Sequence, residues 1–207
     1  MSFRKALQQL QYLHADLSAI VNRRWWRWFT MWIPYGSAPG ILSYRMSRCL
    51  YLLIGETFEK VRFVLWPILV LLRLLGPGLD IRYGADIGPG LKILHPGFGV
   101  LVSRRTRCGK GLELTGGNWI VIKDWPGGHG NIVIGDDVTL RANAILMGPV
   151  RVGDGCVIGA GAVVMNDCHA GSTMVGAPAR PVSGPDAELA VIDHENTKPL
   201  RQTTEDG

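Results

Sequence analysis

The sequence predicts a mainly β chain, a parallel β-helix of hexapeptide repeats preceded by an α-helical N-terminal region. The first observation behind this is a repeat in sixes from Ile134 to His169: Ile134-Gly-Asp-Asp-Val-Thr, Leu140-Arg-Ala-Asn-Ala-Ile, Leu146-Met-Gly-Pro-Val-Arg, Val152-Gly-Asp-Gly-Cys-Val, Ile158-Gly-Ala-Gly-Ala-Val, Val164-Met-Asn-Asp-Cys-His. Position one is always a branched aliphatic residue (Ile134, Leu140, Leu146, Val152, Ile158, Val164). Position five is always small and apolar (Val138, Ala144, Val150, Cys156, Ala162, Cys168). Six residues match neither the period of a helix nor that of a lone strand. One large and one small inward side chain per unit lets each hexad make one flat face, three faces make a coil, and coils stack on a shared core. Glycine, Asn and Asp fall at the corners, where the chain turns with positive φ.

The second observation is the same phase upstream, in Ile81-Arg-Tyr-Gly-Ala-Asp, Ile87-Gly-Pro-Gly-Leu-Lys and Ile93-Leu-His-Pro-Gly-Phe. The register then slips: Ile93 and Ile134 are 41 residues apart, one short of seven hexads. The irregular, Gly-rich run Thr115 to Asn131 reads as a loop extruded from the solenoid, centred on Lys123 to Gly130. Loops on a rigid scaffold are where binding and chemistry concentrate.

Three regions follow: a helical, basic and aromatic stretch over 1–78, the β-helix over 79–182 with its loop near 115–131, and a mobile tail over 183–207. Gly76-Pro-Gly78 marks the first boundary. After Val182 the apolar period stops, and Pro185 and Pro199 lie in polar surroundings.

The formal net charge of +5 is unevenly placed. Residues 1–80 carry ten Lys/Arg against four Asp/Glu and five of the seven tryptophans, whereas residues 81–207 carry twelve against thirteen. A nucleic-acid-binding chain would carry its basic face on the ordered solenoid, so that class is set aside. Cys49, Cys108, Cys156 and Cys168 have no CxxC or metal spacing and read as small core residues in a reducing compartment.

The N-terminus has no secretory pattern, which predicts a cytoplasmic protein. The segment Val61 to Leu75 has ten consecutive apolar residues, Phe63 to Leu72; a bilayer span needs about 20. Together with the cluster Arg23-Arg-Trp-Trp-Arg-Trp-Phe-Thr-Met-Trp32, it predicts peripheral attachment to the inner face of the cytoplasmic membrane. The alternative is that both stretches pack on the solenoid base or within an oligomer.

A prism of this kind has no cleft of its own, so a site must lie against the extruded loop or between neighbouring solenoids. His129, in Pro126-Gly-Gly-His-Gly130, is flanked by glycines at the loop's return and titrates near neutrality, as a general base must. His95 stands before Pro96-Gly97 at the corner that precedes the slip. Asp124, in the loop, is a candidate to orient a histidine. His14, His169 and His194 read as structural or solvated.

The order Asp80-Ile-Arg-Tyr-Gly-Ala-Asp-Ile-Gly-Pro-Gly-Leu-Lys-Ile-Leu-His95, Gly99-Val-Leu-Val, the loop ending at His129, Ile158-Gly-Ala-Gly-Ala-Val-Val and Val175-Gly-Ala-Pro-Ala-Arg180 resembles the serine acetyltransferase branch of the left-handed β-helix acyltransferases, over about residues 40–182. Within that branch, Tyr44-Arg-Met-Ser-Arg-Cys-Leu-Tyr51 and the apolar segment after it are more similar to polysaccharide-biosynthesis O-acetyltransferases of the colanic-acid type. The resemblance implies acetyl-CoA as co-substrate, a homotrimer, and active sites between adjacent prisms. It implies CoA along Gly159, Ala160, Gly161, Ala162, Gly176, Ala177, Pro178 and Arg180. It places His129 on the loop histidine that deprotonates the acceptor hydroxyl and His95 on a histidine near the acceptor pocket. The family's base-orienting aspartate falls near Gly111, so that carboxylate is missing here. Leu94 stands where the family has an acceptor-binding aspartate, so the partner for a serine ammonium group is missing.

The expected function is therefore transfer of acetyl from acetyl-CoA to a sugar hydroxyl in polysaccharide biosynthesis, without a metal. Serine O-acetylation is the alternative, followed by a non-catalytic hexapeptide scaffold at the membrane. A zinc hydratase is disfavoured because His95, His129 and His169 lack paired metal spacing.

Overall fold

The computed structural model describes residues 3–21, 37–55, 57–58, 60, 67, 78–122, 130–185 and 187. Among these, two helices, α1 (Phe3–Val21) and α2 (Ala38–Ile54), precede fifteen short strands. Strands β1 (Leu79–Ile81), β4 (Val100–Val102), β7 (Asn118–Ile122), β10 (Ile145–Gly148) and β13 (Val163–Val164) stack in parallel as the first face. Strands β2 (Asp86–Ile87), β5 (Thr106–Cys108), β8 (Ile132–Ile134) and β11 (Val150–Val152) make the second. The third holds β3 (Lys92–Ile93), β6 (Glu113–Leu114), β9 (Thr139–Leu140), β12 (Val157–Ile158) and β14 (Thr173–Val175), with β15 (Arg180–Ser183) added antiparallel.

Every position-one and position-five residue of the six downstream hexads is buried, from Leu140, Ala144 and Ile158 at 0% exposure to Cys168 at 5%. Stacked on face one, Ile81, Val102, Ile120, Leu146 and Val164 point inward, each over the last. The period thus did what its chemistry implies: one aliphatic side chain per face fills the prism, and backbone pairing between coils satisfies the strands.

The irregularity is two slips rather than one. A regular coil advances eighteen residues, as from Val102 to Ile120 or Leu146 to Val164. The step from Ile93 on face three to Val102 on face one is nine residues instead of six, because Pro96–Phe98 forms a 3-10 turn. The step from Ile120 to Ile134 is fourteen instead of six, which places eight extra residues at the predicted loop. Five hexads therefore separate Ile93 from Ile134. The expected unit Ile93-Leu-His-Pro-Gly-Phe begins as a hexad and ends in that turn, with Phe98 exposed.

The helices close the bottom of the prism. On α2, Ile41, Tyr44, Arg45 and Arg48 are buried at the i, i+3, i+4, i+7 spacing of one helical face. The lowest coil has no coil beneath it, so side chains take over its free backbone groups. The Tyr44 hydroxyl donates to the Ala85 carbonyl (3.0 Å) and accepts from the Ile87 N–H (3.2 Å). Arg45 donates to the carbonyls of Ile87 and Gly88, both at 2.7 Å. It also pairs with Asp16 of α1 (2.8 Å), whose Oδ1 accepts from the N–H groups of Gly90 and Leu91. Arg48 donates to the carbonyls of Tyr83 and Gly84. Burial pushes the Asp16 carboxyl above the usual carboxylate range, against the pull of the Arg45 charge and the two backbone donors. Residues 3–21 and 37–55 thus share one core with the first coils.

At the opposite end β15 folds back on β14, so the expected boundary at Val182 falls inside a strand. The Trp/Arg cluster 23–32, nearly all of 61–75 and nearly all of the tail lie outside the described residues. No described helix is long and apolar enough to cross a membrane.

Burial, reinforced by Asp136, pushes the Cys108 thiol up to about 12, and burial also raises Cys49. A thiol reacts as thiolate. Native protein at pH 7.5 is therefore expected to leave Cys108 unmodified by iodoacetamide, while urea-unfolded protein is modified; peptide mass mapping reads both, and rapid native labelling of Cys108 would contradict this packing.

Candidate active site

The predicted site residues fall on two different edges of the prism. His95, Thr115–Gly117, Arg141–Ala144 and Gly159–Ala162 succeed one another where face three turns into face one. Backbone hydrogen bonds mark the stacking: His95 N–H to Thr115, Arg141 N–H to Ile158, Gly161 N–H to Ala142. The β14–β15 turn continues this edge, since the Val163 N–H donates to Gly176 and the Ala179 N–H to Val163. Of the carried-over cofactor residues, Gly159, Ala160, Gly161 and Ala162 and then Gly176, Ala177 and Pro178 thus lie above His95, and Arg180 opens β15 opposite Val175. Neighbouring coils are about 4.8 Å apart, so the four steps from His95 to Gly176 cover roughly 19 Å.

The second edge, where face one turns into face two, holds Ile122 and Gly130, which flank the segment expected to form the loop. His129 and Asp124 lie outside the described residues. The five residues of β7 separate the edges, a width of roughly 15 Å at about 3.3 Å per residue. Gly111, the position expected to replace the orienting aspartate, sits at the third edge, packed on Asp137. A carboxylate there would be a whole face away from His95, so the expected correspondence with Gly111 does not fit this geometry. The only carboxylate in the strands of face one is Asp80 in β1, directed outward and 38% exposed. Sequence reading quoted Asp80 within the motif and assigned it no role; its distance of fifteen residues from His95, one coil minus the corner turn, was the available signal.

His95 is exposed and held by its backbone. Its N–H donates to the Thr115 carbonyl at 2.9 Å, and it caps the 3-10 turn with Phe98 edge-on to its ring at 6.2 Å. The turn is clamped between Gly78, with φ +86, and Gly116, with φ +137. A Cβ at Gly78 would meet the Pro96 carbonyl and one at Gly116 the His95 carbonyl, so both positions require glycine. Leu94 is 47% exposed beside the imidazole. Among the described residues this edge carries no acidic side chain, while the third edge carries Asp136, Asp137 and Asp154. An exposed imidazole, an acid-free rim and a file of glycines and alanines suit an anionic, thread-like donor.

His14 on α1 and His169 at the third edge stand apart from this arrangement. Among the described residues no three His, Cys, Asp or Glu side chains are grouped to hold a metal.

Fold and edge together define a hexapeptide-repeat transferase: residues 131–166 match the family model of the bacterial transferase hexapeptide with six repeats. Serine acetyltransferase of Helicobacter pylori (strain J99) is 32% identical over 149 residues, covering 72% of this chain and 82% of that protein. The crystal structure of Neisseria gonorrhoeae serine acetyltransferase superposes with a TM-score of 0.69 at 27% identity, over 89% of this chain and 71% of that one. The same protein in complex with serine gives 0.68 over 87% and 72%. The chain belongs to the serine acetyltransferase family, and its prism is the left-handed parallel β-helix of that family.

The expected closer likeness to colanic-acid type enzymes is corrected by these relatives. Its basis, Tyr44 to Tyr51, has a structural explanation. Tyr44, Arg45 and Arg48 cap the first coil and therefore report on how the helices dock, not on the acceptor.

Proposed function

We propose that the chain is an acetyl-CoA-dependent O-acetyltransferase that uses His95 as general base, with the hydroxyl of serine as the first acceptor to test. The observation that carries it is the single edge joining the exposed His95 imidazole to Gly159–Ala162 and Gly176–Pro178. The thioester lies at the His95 end and the nucleotide toward Arg180. The imidazole takes the acceptor's hydroxyl proton as its oxygen attacks the thioester carbonyl carbon. The C–S bond then breaks, and the CoA thiolate leaves with the proton returned from the imidazolium. General-base assistance of this kind contributes roughly 10²- to 10⁴-fold. In this reading Asp80 is the carboxylate that orients or stabilises the imidazolium, and His129, in the segment between Ile122 and Gly130, positions the acceptor.

Because one prism's two edges are a face apart, the complete site is formed between prisms of a homotrimer. Face one supports that assembly. Above Asp80 in the first coil, its outward row, Leu101, Trp119, Ile145 and Val163, is apolar with Trp119 52% exposed, while the outward row of face two reads Asp86, Arg107, Val133, Arg151. Serine as acceptor rests on the relatives' names. A sugar hydroxyl is the second reading, favoured by the exposed Leu94 where a carboxylate would hold serine's ammonium group. Attachment to a membrane surface rests on 23–32 and 61–75 alone.

Thiol release from acetyl-CoA across free serine, nucleotide sugars and lipid-linked oligosaccharides separates these acceptors. Acceptor-dependent release is expected with serine above the sugars. Release with sugars alone would select the second reading, and release with none would remove the enzymatic assignment.

A further inference from the structure

A pocket of about 350 Å³ opens at the loop edge, beneath the end of β7. Its walls are Leu101, Val121 and Ile122, and its polar groups include Arg82, Ser103 and Arg104. The two arginines belong to consecutive coils at one corner: the Arg82 N–H donates to Val102, the residue before Ser103. Gly84 leaves the room, since a Cβ there would lie 2.7 Å from the Arg104 Cβ. Arg104 makes no hydrogen bond or ion pair among the described residues. Arg82 faces one carboxylate, Asp80, at 3.8 Å, with both side chains well solvated (55% and 38% exposed). An exposed pair at that distance is worth little, so the pocket presents two guanidinium groups and a hydroxyl beside an apolar wall.

We propose that this pocket is the subsite for an anionic group of the acceptor, a carboxylate or a phosphate, held by Arg82 and Arg104. Guanidinium forks bind either oxyanion through paired, charge-assisted hydrogen bonds. The pocket lies on the edge opposite the acid-free one assigned to the donor, at the strand end from which residues 123–129 leave. This rests on the transferase reading above and narrows it: a free neutral sugar is a poor acceptor, whereas serine, through its carboxylate, or a nucleotide sugar, through its phosphates, is a good one.

The test compares Arg104→Gln and Arg82→Gln with the wild-type enzyme. Arg104→Gln is the cleaner variant, because Arg82 also faces Asp80; both side chains are exposed, so neither change opens the core. With L-serine or a nucleotide sugar, the acceptor KM is expected to rise roughly 10- to 100-fold per arginine, while the acetyl-CoA KM stays within about twofold. With the counterparts that lack the anionic group, L-serinamide and the free sugar, the wild-type enzyme already shows the high KM and the variants add nothing. The pair of arms identifies which oxyanion is used. Unchanged acceptor KM in both variants overturns the subsite, and so does a selective rise in the acetyl-CoA KM, which would make the pocket a donor phosphate site. If no acceptor turns over, the transferase reading fails separately, and titration calorimetry with inorganic phosphate decides the pocket. Binding that is lost in Arg104→Gln sustains it, and absence of binding to the wild-type protein overturns it.

Discussion

His95→Ala is expected to lower kcat at least a hundredfold with either acceptor class while acetyl-CoA still binds with near-normal affinity. The imidazole acts on the acceptor's proton, so its removal withdraws transition-state stabilisation and leaves the glycine- and alanine-lined donor track intact. His129→Ala should instead raise the acceptor KM with a smaller change in kcat, since its loop leaves from the opposite edge. Asp80→Asn tests the orienting carboxylate: it should lower kcat and alter its pH dependence without changing either KM. Stopped assays at saturating acetyl-CoA, with donor affinity measured by calorimetry, separate these outcomes. Near-normal kcat in His95→Ala, with a large loss in His129→Ala, would move the base to the loop. Near-normal rates in both would remove histidine base catalysis.

How much of this was legible in the sequence depended on whether the signal was local. Ile134 to Val164 announce the prism because each hexad repeats the same buried pair, and His95 was visible as a corner residue beside Pro96. The two slips were not separable: Gly-rich corners carry no period, so only the total displacement from Ile93 to Ile134 could be read, and it resembled a single loop. That merged slip hid the step that stacks Arg104 over Gly84 and opens the pocket. It also left the edge of each histidine undetermined, because an edge is known only after every corner has been counted. The colanic-acid likeness failed for a related reason. Tyr44, Arg45 and Arg48 were read as a family marker, when their partners are backbone atoms some forty residues away. Gln9 and Asp16, buried at 4% and 0% exposure, carry no signal in the sequence that separates them from a solvated helix side, since a buried polar network has the composition of a surface.

That network should dominate stability. Arg45 and Asp16 are 1% and 0% exposed, and removing one partner of a buried pair costs roughly 3–5 kcal/mol because the other charge is stranded. Arg45→Met is therefore expected to lower unfolding free energy by about that amount, read from urea midpoints at fixed protein concentration, since association also contributes. Arg45→Lys, which keeps the charge but loses the fork that reaches Asp16, Ile87 and Gly88 together, should fall between and serves if the methionine variant does not fold. The double variant Asp16→Leu/Arg45→Met discriminates the cause. An ion pair that acts only as a pair is often replaceable by apolar residues at little cost, and the double variant would then recover most of the loss. Here Arg45 also occupies the carbonyls of Ile87 and Gly88, and Asp16 the N–H groups of Gly90 and Leu91. Apolar side chains leave all four without partners at the open end of the prism, and each unsatisfied buried group costs about 1–3 kcal/mol. The double variant should remain as unstable as the single one; recovery to wild-type stability would mean that the helices hold the coil by packing alone.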